Sequence, residues 1–164
     1  MSDDFESRLE SAIERGRRRA EYQASEERRK ELSEEDLKRL HASYRLTLSE
    51  KIEKAVQRVA DHFPGFRTES VFGEEGWGEA CYRDDLRLDA GKRSNLYSRL
   101  EIAIRPYSDL RVLDLKGKGT VLNREIFNRS YYAKIADVDP DEFSQLIDTW
   151  AIEYAELYAA KSSA

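Results

Sequence analysis

With 164 residues, 28 Lys and Arg against 33 Asp and Glu, and a net charge of -5, the chain has room for one domain with a real core and no general attraction to phosphate backbones. Its single cysteine, Cys81, excludes an intramolecular disulfide framework and any multi-cysteine metal site, so a reducing compartment is expected. The acidic start, Met1-Ser2-Asp3-Asp4-Phe5, leads into no apolar run, which gives the expectation of a cytoplasmic protein without a membrane span.

Residues 1–32 are dense in charge. Phe5, Leu9, Ala12 and Ile13 recur at helical spacing, but Gly16 and Arg17-Arg18-Arg19 leave the following turns without an apolar face. Glu and Arg interleave, so pairs three and four apart support a solvated helix by about 0.3 kcal/mol each. This segment reads as a charged arm, helical or partly disordered.

From Ser33 the pattern strengthens. Ser33 followed by Glu34, Glu35 and Asp36 combines an N-cap hydroxyl with acids at the positive end of a helix dipole. Leu37, Leu40, Tyr44, Leu48, Ile52, Ala55, Val59 and Phe63 then form an apolar stripe that Pro64-Gly65 ends. A single domain over 33–160 is therefore predicted, with 161–164 as a frayed tail.

The period changes after residue 65. Segments 66–72 and 77–82 read as two strands joined across Gly73-Glu74-Glu75-Gly76. Residues 84–96 read as the longest irregular connection. Leu100, Ile102 and Ile104 alternate with Arg99, Glu101, Ala103 and Arg105, the signature of a strand with one buried and one wet face. After a turn at Pro106 to Asp109, residues 110–115 return as a strand, and Gly117-Lys118-Gly119 reads as a turn into a strand over 120–126. Asp139-Pro140-Asp141-Glu142 caps a last helix whose stripe is Phe143, Leu146, Ile147, Trp150, Ala151, Tyr154, Leu157 and Tyr158. The expected fold is α+β: a long N-terminal helix, an antiparallel meander of about five strands, and a C-terminal helix packed on one sheet face.

No coherent catalytic set emerges. Cys81 would need a histidine to act as a nucleophile, but His41 and His62 both fall on the long helix, and a strand cysteine between Ala80 and Tyr82 is ordinarily a small core residue. Asp84 and Asp85 with Glu74 and Glu75 match no calcium loop, and paired acids beside turns are usually solvated. Lys116-Gly117-Lys118-Gly119-Thr120 lacks the upstream glycine of a phosphate loop; with Lys92 and Arg93, Lys116 and Lys118 could compose a small anion patch. If a pocket or docking surface exists, its candidate residues are Trp77, Cys81, Tyr82, Asp84, Asp85, Arg99, Glu101 and Arg105. No metal site and no cofactor is expected.

The segments Leu48-Ser49-Glu50, Asp61-His62-Phe63-Pro64-Gly65-Phe66, Gly76-Trp77-Gly78, Tyr97-Ser98-Arg99-Leu100-Glu101 and Trp150 to Tyr158 together resemble an uncharacterised protein family of planctomycete-type bacteria. The resemblance covers residues 37–160, implies a bacterial, self-contained domain, and carries no activity. The helix, sheet, helix order is also similar to that of the type III secretion chaperones, a likeness of fold that implies binding of partner chains along the surface. The expectation is a non-enzymatic protein–protein interaction module, a homo-oligomer or a chaperone-like carrier of another protein. Two rival readings stand beside it. One is a ligand-binding domain or enzyme with a sheet–helix pocket; the other is nucleic-acid binding through Arg15, Arg17, Arg18, Arg19, Arg28, Arg29 and Lys30, which the interleaved glutamates weaken.

Overall fold

The computed structural model describes residues 2–163, and side chains other than those of 2–3 and 29–32. Helix α1 runs over Ser2–His62, strands β1 to β5 over Arg67–Val71, Trp77–Asp89, Lys92–Ile104, Val112–Val121 and Arg124–Lys134, and helix α2 over Pro140–Ser162. The fold is α+β, as expected. Internal contacts divide the chain into two units, Met1–Arg39 and Leu40–Ala164.

Ser33 is not a helix start, because α1 passes through it. A capping hydroxyl matters only where the preceding chain leaves the helix, and Glu, Arg, Lys and Leu before Ser33 all favour staying in it. At the other end α1 stops as predicted: Gly65 takes φ +93°, and Arg83 Nη1 donates to the Pro64 carbonyl at 2.5 Å, placing a cation at the negative end of the helix dipole.

The sheet is an antiparallel meander in the order β1-β2-β3-β4-β5. Two turns differ from the sequence reading. Residues 84–96 are not an irregular connection but the distal part of a long hairpin, in which Asp84 pairs with Tyr97, Leu86 with Asn95 and Asp89 with Lys92. Its two-residue loop is Ala90-Gly91, both at positive φ, and alanine in place of the usual Asn or Asp hides the turn signal. Gly117-Lys118-Gly119 is not a turn either. It lies inside β4, and the chain reverses at Leu122-Asn123, whose φ values are +47° and +71°. Both glycines are steric requirements: a Cβ on Gly117 would sit 2.5 Å from the Trp150 ring, and one on Gly119 would sit 2.8 Å from Phe127.

The core lies on one face of the sheet. In the second unit, α1 contributes Leu48, Ile52, Val56 and Val59, α2 contributes Phe143, Ile147, Trp150, Ala151, Tyr154 and Tyr158, and the sheet contributes Leu100, Ile102, Ile104, Leu113, Leu115, Val121 and Phe127, all buried. The α1 stripe is buried as read at Leu48, Ile52 and Val59 and departs from the reading at its start, where His41 is buried and Leu40 exposed. Asp139 caps α2 by accepting from the Asp141 N–H at 3.1 Å, with Pro140 at the first helical position, as read. The helix continues through Ser162 instead of fraying at 161, closed by the Ser163 N–H on the Ala159 carbonyl.

Candidate functional site

Strand alternation sorts the nominated residues onto two surfaces. Trp77, Cys81 and Asp85 share the helix-covered side with Leu100 and Ile104, whereas Tyr82, Asp84, Arg99, Glu101, Lys116 and Lys118 lie on the opposite face. They do not line one pocket. Arg105 follows β3 and donates its backbone N–H to the Asp114 carbonyl at 2.9 Å. The anion patch does not assemble: Lys92 and Arg93 sit at the hairpin tip, and Lys118 pairs with Glu101, nine residues and about 30 Å further along β3.

On the open face the focus is Arg99. Its Nη1 donates to Glu69 Oε1 at 2.5 Å and to the Tyr97 hydroxyl at 3.3 Å, its Nη2 donates to Glu101 Oε1 at 3.2 Å, and the guanidinium lies 6.0 Å from the Tyr82 ring. Partial burial disfavours its charge, but the hydrogen bonds to Glu69, Tyr97 and Glu101 outweigh that cost and raise its pKa above the ordinary range. Glu69 is on β1 and Glu101 on β3, so Arg99 clamps β1 to β3 across the fully buried Ala80 of β2. Chemically this is a stitch across three strands.

On the covered side, burial pushes the Cys81 thiol up to about 12, which keeps it neutral and unreactive. Arg45 of α1 lies 4.0 Å over the Trp77 ring, and Arg83 Nε donates to Asp85 Oδ1 at 2.6 Å. Two buried titratable groups escaped the sequence reading. Glu79 is 2% exposed and accepts from Gln57 Nε2 at 3.3 Å; burial first, then the charge of Glu53, raises its pKa. His41 is 3% exposed, meets Tyr107 edge-on at 5.7 Å and has Nε2 buried without a hydrogen-bond partner among the described residues. Burial lowers its pKa and holds it neutral. The alternation Trp77, Glu79, Cys81 is a signal that could have flagged Glu79; His41 has none beyond its seven-residue spacing to Leu48.

A groove of about 540 Å³ opens between α1 and α2 within the second unit, floored by Ala55, Val59, Ala151 and Ala155 and rimmed by Arg58, His62, Phe63, Asp148 and Ile152. None of the nominated residues lines it. In the first unit, Phe5, Leu9 and Ile13 are 65%, 42% and 48% exposed and follow one face of α1. Of the basic residues there, Arg18 pairs with Glu14 at 3.2 Å and Arg28 donates to the Ala24 carbonyl, while the side chains of Arg29 and Lys30 lie outside the described residues.

Among the described residues no three His, Cys, Asp or Glu side chains are grouped so as to hold a metal ion, and no helix is long and apolar enough to cross a membrane. No family model, no curated protein and no solved structure matches the chain.

Proposed function

We propose that the chain is a protein–protein interaction module whose contact element is the N-terminal part of α1. The supporting observation is the exposed stripe Phe5, Leu9 and Ile13 on a helix whose other described positions in 4–28, the exposed Tyr22 apart, are charged, polar or small. A helix of this composition gains only about 0.3 kcal/mol from each charge pair, whereas burying one such side chain is worth about 1.5–3 kcal/mol. Seating the stripe in an apolar groove of another protein therefore supplies both affinity and helix stability, the usual logic of helix-in-groove recognition. A folded domain that presents such an element is chaperone-like in the sense of carrying a partner chain on its surface.

Photo-crosslinking from positions 5, 9 and 13 in the producing cell tests this. One recurrent adduct that disappears with the double substitution Leu9→Glu, Ile13→Glu is expected. An adduct to another copy of the chain would identify the partner as itself, and the absence of any recurrent adduct would sink the reading.

The groove between α1 and α2 favours a second reading, a site for a small apolar ligand, since its floor is built of alanines and valine. Ala151 and Ala155 bracket the space on α2, so Ala155→Trp would fill it. Loss of a ligand-induced thermal shift in that variant, with the fold intact by circular dichroism, is the outcome this second reading requires.

A further inference from the structure

Strand β2 is longer than its neighbour. β1 pairs only with Gly78–Tyr82, and β4 reaches β3 only from Arg99 onward, so residues 83–89 and 92–98 pair as strands with each other alone. On the β4 side the free edge is partly closed: Asn123 exchanges backbone and side-chain hydrogen bonds with Tyr97 at 2.8 Å and donates Nδ2 to the Asn95 carbonyl at 2.8 Å. On the β1 side, residues 83–89 have no strand neighbour among the described residues. Leu86 and Leu88, 53% and 73% exposed, stand on one face of this ribbon. A two-stranded ribbon is marginal in water, and an open edge beside exposed leucines is a template for another strand.

The order of residues along that edge identifies the strand. Arg83-Asp84-Asp85-Leu86-Arg87-Leu88-Asp89 is centred on Leu86, and the charges at 83, 85, 87 and 89 are antisymmetric about that centre, Asp84 alone having no counterpart. Laid antiparallel against itself by a two-fold axis through Leu86, it sets Arg83 opposite Asp89, Asp85 opposite Arg87 and Leu86 opposite Leu86, with Asp84 facing Leu88. Arg83, Asp85, Arg87 and Asp89 fall on one face of the ribbon, and Leu86 and Leu88 fall on the other together with Asp84, the fifth charge, as the pleat demands. Shifting the axis by one residue either way places Asp85 on Asp85 or Arg87 on Arg87, so charge also selects against the adjacent registers. The free stretch and the self-complementary stretch coincide. Arg83 already holds Asp85 at 2.6 Å and the Pro64 carbonyl at 2.5 Å, so the second copy's Arg87 would extend an existing pair into a ladder.

From this we infer that the protein forms a two-fold dimer in which the 83–89 edges of two copies pair antiparallel about Leu86, merging two five-stranded sheets into one. This goes beyond the arm-binding reading and does not depend on it, since it uses a different element.

Cysteine crosslinking of the full chain reads it directly, because the native thiol of Cys81 is buried and silent under mild oxidation. In the dimer the two Leu86 Cα atoms lie about 4.5–5.5 Å apart, within disulfide reach, whereas the two Asn95 Cα atoms, one strand further out on each side, lie about 14 Å apart. Leu86→Cys should therefore give a covalent dimer and Asn95→Cys should not; equal crosslinking of these two exposed positions, or none, would overturn the proposal. Sedimentation equilibrium should show a dimer that Leu86→Lys with Leu88→Lys weakens at least ~10-fold and that Arg87→Asp also weakens, while Arg87→Lys retains it. Phe5→Glu with Leu9→Glu and Ile13→Glu should leave this dimer intact, so failure of the arm reading and failure of the ribbon reading give different results. A monomer at every concentration, or a dimer that the lysines leave unchanged, rules the inference out.

Discussion

Residues 2–39 and residues 40–62 belong to one helix, yet they are helical for different reasons. In the second stretch Leu48, Ile52, Val56 and Val59 are buried against the sheet and α2, so tertiary packing holds the helix and the helix holds the core. In the first, nearly every described side chain is exposed, and what sustains the helix is the propensity of Arg, Glu, Lys and Ala together with local pairs such as Glu14–Arg18 and Asp36–Arg39. Identical backbone geometry thus carries unequal loads. The first stretch has apolar side chains to offer and the second has already used its own.

Truncation separates the two most sharply. Ile52 is fully buried, and Ile52→Ala should cost about 2–5 kcal/mol in urea unfolding followed by the fluorescence of Trp77 and Trp150, both in the second unit. Leu9→Ala, at an exposed position, should stay within about 0.5 kcal/mol in the same assay. If Leu9→Ala proved as costly as Ile52→Ala, the stripe would be packed in the isolated protein and the contrast would fail.

A smaller effect comes from two glycines changed to alanine. Gly16, in the first stretch, has no atom within 4 Å of an added Cβ, so Gly16→Ala should stabilise the helix by about 0.8–1 kcal/mol, visible as stronger far-ultraviolet ellipticity with unchanged tryptophan emission. Gly117→Ala drives a methyl group into the Trp150 ring and should cost about 1–3 kcal/mol, visible in the emission itself. Gains at both positions would mean that Gly117 has room that its neighbours deny.

These elements differed in how legible they were. The Leu48 to Phe63 stripe, the Asp139-Pro140 cap and the Leu100, Ile102, Ile104 alternation were readable because burial imposes a period on the sequence, and the fold class follows from them. The distal hairpin was not, because a ribbon without a core selects no apolar face, and its Ala90-Gly91 turn lacks the expected first residue. Gly117 and Gly119 misled for another reason: glycine marks a turn when the backbone needs freedom, but here it marks the close approach of aromatic rings, Trp150 of α2 at Gly117 and Phe127 of β5 with Tyr154 of α2 at Gly119, which only the tertiary fold brings together. The site residues suffered most. Proximity in sequence grouped Cys81, Tyr82, Asp84 and Asp85, and strand alternation then divided them between two faces.

The smallest expected effect concerns the two buried titratable groups that the core encloses, and it separates them by sign. His41 has a lowered pKa in the folded protein, so the unfolded chain binds its proton first; the stability it permits is present above pH 6.5 and is lost as the pH falls toward the folded value. Glu79 has a raised pKa, so the folded protein holds its proton longer; the contribution is fully present below pH 4.5 and is lost as the pH rises through the folded value. The two oppose each other across the mildly acidic range and partly cancel in the parent protein. Burial also raises the pKa of Asp114, which acts in the same sense as Glu79, so Glu79→Gln with Asp114→Asn should leave stability that falls with acid below pH 6.5, and His41→Phe should leave stability that falls as the pH rises above 4.5. Urea midpoints measured across this range for both variants decide it, and parallel profiles would mean that neither group titrates differently in the folded and unfolded chains.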